Sequence, residues 1–226
     1  MPTRKQQLHS SSYYHLYNRS IAGYKIFNDA IDYERFYDLL RFCRFSNFTH
    51  KLSDFLDLSL EFQIDVELDL KHQNNKLVEI YAYCLMPTHF HILLRQSEDG
   101  GITKFMHRTL NSYSKYFNAR IKRSGPLWTG PFKNVLVQSD EQLLHLTRYI
   151  HLNPTSAGLI IDPSDWSYSS YKYFIDPKNN KPDYISPHDE LFKMSPSQYK
   201  KFTLDQKDFQ RNLSHIKSLL IENYSG

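Results

Sequence analysis

His89 and His91 flank a single phenylalanine and are the residues of this chain best suited to bind a metal ion. Side chains two positions apart on a strand share a face, so both imidazoles would point to one spot while Phe90 turns away. Neutral imidazole is among the commonest ligands of divalent ions, but two ligands seldom hold one. The triplet therefore predicts half of a metal site, and two histidines on a solvent-facing strand are the structural alternative.

Tyr149 and Asn153 form a second pair that could do chemistry. They are four residues apart in a segment of helical periodicity, so they lie on one helix face, where a nucleophilic phenol and a metal-binding amide could meet. The spacing alone favours a structural role, because a helical tyrosine usually packs and an asparagine before proline usually ends a helix. We predict a helix that is capped by Ser139 and ends at Asn153-Pro154.

The elements that must position these residues follow an order of strand, helix, paired strands, helix and strand. The alternating stretch YYHLYNRSI predicts the first strand, and Asn28-Asp29 caps the first helix. The later elements are predicted as strands at 77–85, 89–95 and 134–138, with a helix that begins near Ile102. This order predicts an α+β fold with a ferredoxin-like antiparallel sheet and helices on one face.

The chain is predicted to divide into a main domain and an appendage. Residues 1–175 form the domain, which carries an acidic insertion at about 47–76, and residues 176–226 form a C-terminal extension. The segment FTLDQKDFQRNLSHIKSLLIE predicts that this extension is helical.

Composition indicates a cytoplasmic protein. The chain has 226 residues, 40% of them hydrophobic, which is enough for a sizeable core. No apolar run approaches the roughly 20 residues needed to cross a bilayer, so we expect no membrane association. Cys43 and Cys84 lie far apart without metal-ligand spacing and are expected to be reduced.

Positive charge is concentrated in one segment, although the net charge is only +4. Residues 100–139 contain no Asp or Glu but seven basic residues: Lys104, Arg108, Lys115, Arg120, Lys122, Arg123 and Lys133. A locally basic surface indicates a polyanionic partner, and a solvated face is the alternative interpretation.

Several motifs in order resemble the REP-associated tyrosine transposases, relatives of the single-tyrosine HUH endonucleases. They are HLYNRSIAGYKIF, YAYCLMPTHFHILLRQ, the basic amphipathic helix, SGPLWTGPFK and RYIHLNPTSAGL, and they cover roughly Tyr13 to Phe174. Thr88 stands where this family commonly has asparagine, and Ser20 stands where glycine is common. Neither departure removes a catalytic group, but both leave open how these loops contact DNA.

The resemblance implies a metal-dependent transposase that cleaves and rejoins single-stranded DNA, with hairpin (REP-like) sequences as the expected substrate. It implies that His89 and His91 bind Mg²⁺ or Mn²⁺, that Asn153 completes the metal shell, and that Tyr149 forms a 5′-phosphotyrosine intermediate. Two imidazoles also suit zinc, so the ion stays open. Arg19 and the seven basic residues are the expected DNA contacts, His15 is a further candidate with a structural alternative, and the protein is expected to be a monomer or homodimer.

Two other functions fit the same residues. A domesticated, non-catalytic nucleic-acid-binding protein would retain the basic surface without cutting DNA. A metal hydrolase would use the histidine pair to activate water, but no carboxylate general base accompanies the pair in its motif.

Overall fold

Four strands form one antiparallel sheet in this computed structural model, which describes residues 8–176, 178 and 181–207. They are β1 (Tyr13–Arg19), β2 (Val78–Met86), β3 (His89–Gln96) and β4 (Lys133–Leu136). Their order is β2-β3-β1-β4, and every neighbouring pair is antiparallel. Three α-helices lie between β1 and β2 and one lies between β3 and β4, so a helical connection follows β1 and another follows β3, as in the ferredoxin-like arrangement. The predicted fold class is confirmed.

The α-helices among the described residues are α1 (Ala30–Cys43), α2 (Leu52–Leu56), α3 (Leu60–Gln73), α4 (Gly101–Arg120), α5 (Asp140–Ser156), α6 (Tyr171–Ile175) and α7 (Pro196–Leu204). The predicted caps are confirmed: the side chain of Asp29 accepts a hydrogen bond at the start of α1, and that of Ser139 does so at the start of α5. None of the described helices combines the length and hydrophobicity that crossing a membrane requires.

Strand β3 separates the core from the predicted site. Phe90, Ile92 and Leu94 are fully buried and pack in the core cluster that also contains Phe36 of α1 and Phe105 of α4. Since side chains alternate along a strand, the histidines on either side of Phe90 face away from α1 and α4. The sequence prediction that Phe90 enters the core while the imidazoles share the other face is confirmed.

The opposite face of the sheet is partly covered by α5, α6 and α7. A second core cluster joins Tyr81 and Cys84 of β2 to Ile150, Phe174 and Tyr199. The predicted fold had helices on one face only, and this second layer is an addition to it. Helix α7 belongs to the predicted C-terminal extension. Most of the helix predicted from Phe202 onward falls on residues 208–226, which lie outside the described residues.

Helix α5 does not end at Asn153-Pro154, so that prediction is wrong. It continues to Ser156, and the backbone N–H of Ala157 donates to the Asn153 carbonyl. Proline removes one intrahelical hydrogen bond, but Pro154 and Thr155 are buried, and their packing favours the additional turn.

The acidic segment at about 47–76 contains α2 and α3. Phe48 and Phe55 pack against Phe42 at the end of α1. Glu67 of α3 forms an ion pair with Arg41 of α1, with 2.5 Å between the carboxylate oxygen and the guanidinium nitrogen. The segment is therefore attached to α1 by apolar and ionic contacts, and its description as an insertion stays a prediction.

Gly101 allows the start of α4 to approach β2 closely. A Cβ added there would lie 2.3 Å from the backbone oxygen of Leu77, whereas a Cβ at Gly130 would meet no atom within 4 Å. We expect Gly101→Ala to lower the free energy of unfolding by about 1–3 kcal/mol, because a backbone carbonyl must move to admit the methyl group. Thermal unfolding monitored by circular dichroism checks this, and Gly130→Ala is the control; equal midpoints for the two variants would contradict it.

Candidate active site

A cavity of about 470 Å³ opens on the sheet face opposite α1 and α4. Residues of β1, β3, β4, α5 and the loop before β4 line it: Tyr17, Asn18, Arg19, His89, His91, Thr129, Lys133, Tyr149 and Asn153. The four predicted catalytic and metal-binding residues, which lie up to 64 positions apart in sequence (89 to 153), thus meet in one place. Two of the predicted DNA contacts, Arg19 and Lys133, lie in the same cavity.

Each of the two histidines has a hydrogen-bond partner at its Nδ1 atom. Nδ1 of His89 lies 3.0 Å from Oγ1 of Thr88, and Nδ1 of His91 lies 2.9 Å from Nε2 of His15. The rings of the pair are perpendicular, with centroids 5.2 Å apart. Because each Nδ1 has a partner, Nε2 is the nitrogen that each imidazole can offer to a cation in the cavity.

Both imidazoles are neutral at pH 7. Burial lowers the pKa of His89 to about 4, and the charge of Arg19 contributes to the shift. Burial also holds the pKa of His91 well below its usual value, with further contributions from His15, His89 and Arg19. A neutral imidazole keeps the lone pair that binds a metal ion, so this environment favours coordination rather than protonation.

Tyr149 is 41% exposed and sits edge-on to His91, with the ring centroids 5.5 Å apart. Partial burial raises its pKa and Tyr17 adds to this effect, whereas a hydrogen bond with the Asn153 side chain and the charge of Arg19 lower it. Ionising a phenol of pKa about 10 at pH 7 costs on the order of 4 kcal/mol. Nucleophilic attack therefore needs positive charge near the phenol, which Arg19 supplies in part.

Asn153 can contribute an oxygen to the cavity. Its Nδ2 donates 2.8 Å to the backbone oxygen of Tyr149, so the opposite side-chain atom, Oδ1, is an acceptor. Two imidazole nitrogens and an amide oxygen form a donor set that fits a divalent ion. In the described part of the chain, no group of three or more His, Cys, Asp and Glu residues could hold a metal ion.

A buried histidine fixes the helix that carries Tyr149. His151 is completely buried on the other side of α5, where its Nδ1 lies 2.7 Å from the hydroxyl of Tyr199 and its Nε2 lies 2.8 Å from Oγ of Ser170. Ser170 in turn donates to the backbone oxygen of Tyr83 in β2. This chain of polar contacts, the His151 network, ties α5 to α7 and to the sheet.

The other predicted DNA contacts lie on α4 or directly after it: Lys104, Arg108, Lys115, Arg120, Lys122 and Arg123. Helix α4 packs on the opposite face of the sheet from the cavity. Arg108 donates to the backbone oxygens of Phe45 and Ser46, and Arg120 pairs with Asp29 and the fully buried Asp32. These two arginines connect parts of the fold, and contact with DNA would compete with those bonds.

Three residues that line the cavity were not predicted from the sequence: Tyr17, Asn18 and Thr129. Tyr17 lies two residues before Arg19 on β1, so the two share a face, and it pairs with His91 across the sheet. Asn18 donates to the backbone oxygen of Gly130, which holds the loop of Thr129 against β1. Because side chains alternate between the two faces of a strand, the prediction for Arg19 would have indicated Tyr17 as well. Neither the strand register nor the loop contact can be read from local sequence.

Known proteins match this chain in sequence and in structure. Residues 67–153 match the family model described as transposase IS200 like. A Haemophilus influenzae protein with the provisional name REP-associated tyrosine transposase is 27% identical over 103 residues, which are 41% of this chain and 58% of that protein. The match thus spans little more than half of that relative's length.

The resemblance to tyrosine transposases is confirmed. The IS200-like segment contains His89, His91, Tyr149 and Asn153, and it ends at the last of them. A solved REP-associated tyrosine transposase bound to a REP hairpin has a TM-score of 0.51 and 14% identity to this chain, and the match covers 87% of this chain and 96% of that one. At this identity the likeness concerns the fold, which agrees with the ferredoxin-like sheet.

Proposed function

We propose that this protein is a metal-dependent transposase that cleaves and rejoins single-stranded DNA through a covalent bond to Tyr149. The observation that carries the proposal is the meeting of Tyr149 with His89 and His91 in one solvent-open cavity. The match of the IS200-like segment over these residues supports the same chemistry. The solved hairpin-bound transposase supports hairpin DNA as the substrate to test first.

In the proposed reaction, the phenolic oxygen of Tyr149 attacks the phosphorus of a backbone phosphodiester. The bond from phosphorus to the 3′ oxygen breaks while the bond to the phenol forms, so the products are a 5′-phosphotyrosine and a 3′-hydroxyl. The phenolic proton leaves to solvent, which reaches the exposed edge of Tyr149, and the departing 3′ oxygen takes up a proton. Since one phosphodiester replaces another, a second 3′-hydroxyl can reverse the step without ATP.

The residues around Tyr149 have separable roles in this reaction. Arg19 and Lys133 would bind the phosphate and offset its charge, and Arg19 also favours the phenolate. His89, His91 and Asn153 would hold Mg²⁺ or Mn²⁺, which when bound polarises the scissile phosphate. The hydrogen bond between Asn153 and Tyr149 couples the position of the amide to that of the nucleophile.

A hairpin oligonucleotide with a single-stranded flank tests the proposal. Incubation with Mn²⁺ should yield a protein–DNA adduct that survives a denaturing gel, and mass spectrometry of the digested adduct should place the nucleotide on Tyr149. Binding of the hairpin without an adduct would support the rival function, a non-catalytic nucleic-acid-binding protein. Turnover without an adduct would support the metal hydrolase.

Phosphate contacts are expected from Arg19 and Lys133. We expect Lys133→Gln to weaken hairpin binding and to make the slope of log affinity against log salt shallower by about 0.7, because one phosphate contact with single-stranded DNA is lost and each such contact releases about 0.7 counterion. Lys51→Gln is the matched control, because Lys51 is exposed in the acidic segment, pairs with Asp54 at 3.8 Å and is not a predicted DNA contact. Fluorescence anisotropy across a salt series checks this, and identical slopes for Lys133→Gln and the wild type would refute the contact.

A further inference from the structure

His15 makes a contact that the proposed chemistry has not used. It lies on β1, next to His91 on the same face of the sheet. It is only 8% exposed and does not line the cavity. Its Nε2 lies 2.9 Å from Nδ1 of His91. The ring of His15 also stacks on Tyr17, with centroids 5.1 Å apart, so its orientation is fixed by packing.

The single proton shared by this pair of nitrogens decides what His91 can bind. If Nδ1 of His91 carries the proton, it donates to His15, and Nε2 of His91 has a free lone pair. If Nε2 of His15 carries the proton, a neutral His91 must carry its own proton on Nε2, which then cannot bind a cation. Metal-binding histidines usually donate their second N–H to an acceptor that sets the tautomer and the ring orientation.

We infer that His15 is a positioning residue that accepts a hydrogen bond from Nδ1 of His91 and thereby presents Nε2 of His91 to the cation. The inference rests on the proposed metal site. Thr88 stands in the same relation to His89, since its hydroxyl lies 3.0 Å from Nδ1 of that ring. The two proposed ligands thus have different Nδ1 partners: the imidazole of His15 contacts His91, and the hydroxyl of Thr88 contacts His89. Neither partner is a carboxylate.

The affinity for Mn²⁺, measured from the electron paramagnetic resonance signal of the free ion, tests the inference without relying on DNA cleavage. His15→Phe keeps the stacked ring but removes the acceptor, and should weaken binding by about 10- to 100-fold. His15→Gln restores an acceptor oxygen and should recover most of the affinity, which a merely structural role would not require. His91→Ala defines complete loss of the site.

The tautomer is measured separately on the metal-free wild type by ¹⁵N-resolved nuclear magnetic resonance of the imidazoles. A proton on Nδ1 of His91 is expected, and a proton on its Nε2 would overturn the inference even if a His15 variant failed to fold. Equal Mn²⁺ affinity in His15→Phe and the wild type would overturn the role of His15 alone. Absence of any His91-dependent Mn²⁺ binding in the wild type would overturn both the metal site and this inference.

Discussion

Replacing Tyr149 by phenylalanine should abolish the covalent adduct and slow cleavage of a hairpin substrate by at least about 10³-fold. The substitution removes only the oxygen that would attack phosphorus, and it leaves the ring against His91. Hairpin affinity should change by less than about threefold, because Arg19 and Lys133 stay in place. Single-turnover cleavage on denaturing gels and anisotropy titrations measure the two effects independently.

Tyr17→Phe is the matched control for this prediction. Tyr17 lines the same cavity and stacks on His91 with a centroid separation of 5.9 Å, so it is the other phenol that could compete for the role of nucleophile. We expect Tyr17→Phe to retain the adduct. An adduct that persists in Tyr149→Phe but disappears in Tyr17→Phe would reassign the reaction to β1, and turnover unaffected by either change would favour a hydrolase.

Acid should destabilise the folded protein through His151. Burial lowers the pKa of this histidine to about 3, with an additional contribution from His188, whereas an unfolded histidine titrates near 6.5. Between these two values the unfolded chain binds more protons than the folded one, so stability is lost as the pH falls below 6.5. By linkage, His151 alone should remove about 2 kcal/mol of the unfolding free energy between pH 7 and pH 5.

Urea denaturation at pH 7 and pH 5 checks this prediction. His151→Gln, which keeps polar atoms near Ser170 and Tyr199, should lower stability at pH 7 but lose less of it on acidification than the wild type does. The control is His107→Gln, because His107 is exposed on α4 and, among the described residues, hydrogen bonds to Asn111 on the same helix. An equal pH dependence in the wild type and His151→Gln would show that His151 is not the responsible group.

Local sequence pattern predicted the sheet and the histidine pair because both follow from alternation along single strands. The boundaries of β2 and β3 lie within one residue of the predicted ends. Alternation around Phe90 was sufficient to separate the core face from the site face. Family resemblance, rather than spacing, selected Tyr149 and Asn153, since helical tyrosines and asparagines are commonly structural.

Contacts between distant segments were beyond sequence reasoning. The side-chain contact between His15 and His91 depends on the register of β1 against β3, and the exposure of Tyr149 depends on where α5 packs on the sheet. The basic residues of α4 illustrate the same limit. The helical pattern predicts one basic face for the amphipathic helix, formed by Lys104, Arg108, Lys115 and Lys122. It could not reveal that Arg108 donates to the backbone carbonyls of Phe45 and Ser46.

The His151 network bears on how two DNA ends would be joined. Lifting α5 off the sheet would remove the hydrogen bonds that His151 makes with Tyr199 and Ser170, and each buried polar group left unpaired costs about 1–3 kcal/mol. The network thus holds Tyr149 next to His89 and His91. On the proposed mechanism, the DNA strand attached to Tyr149 would therefore stay beside His89 and His91 while a second DNA end is brought to it.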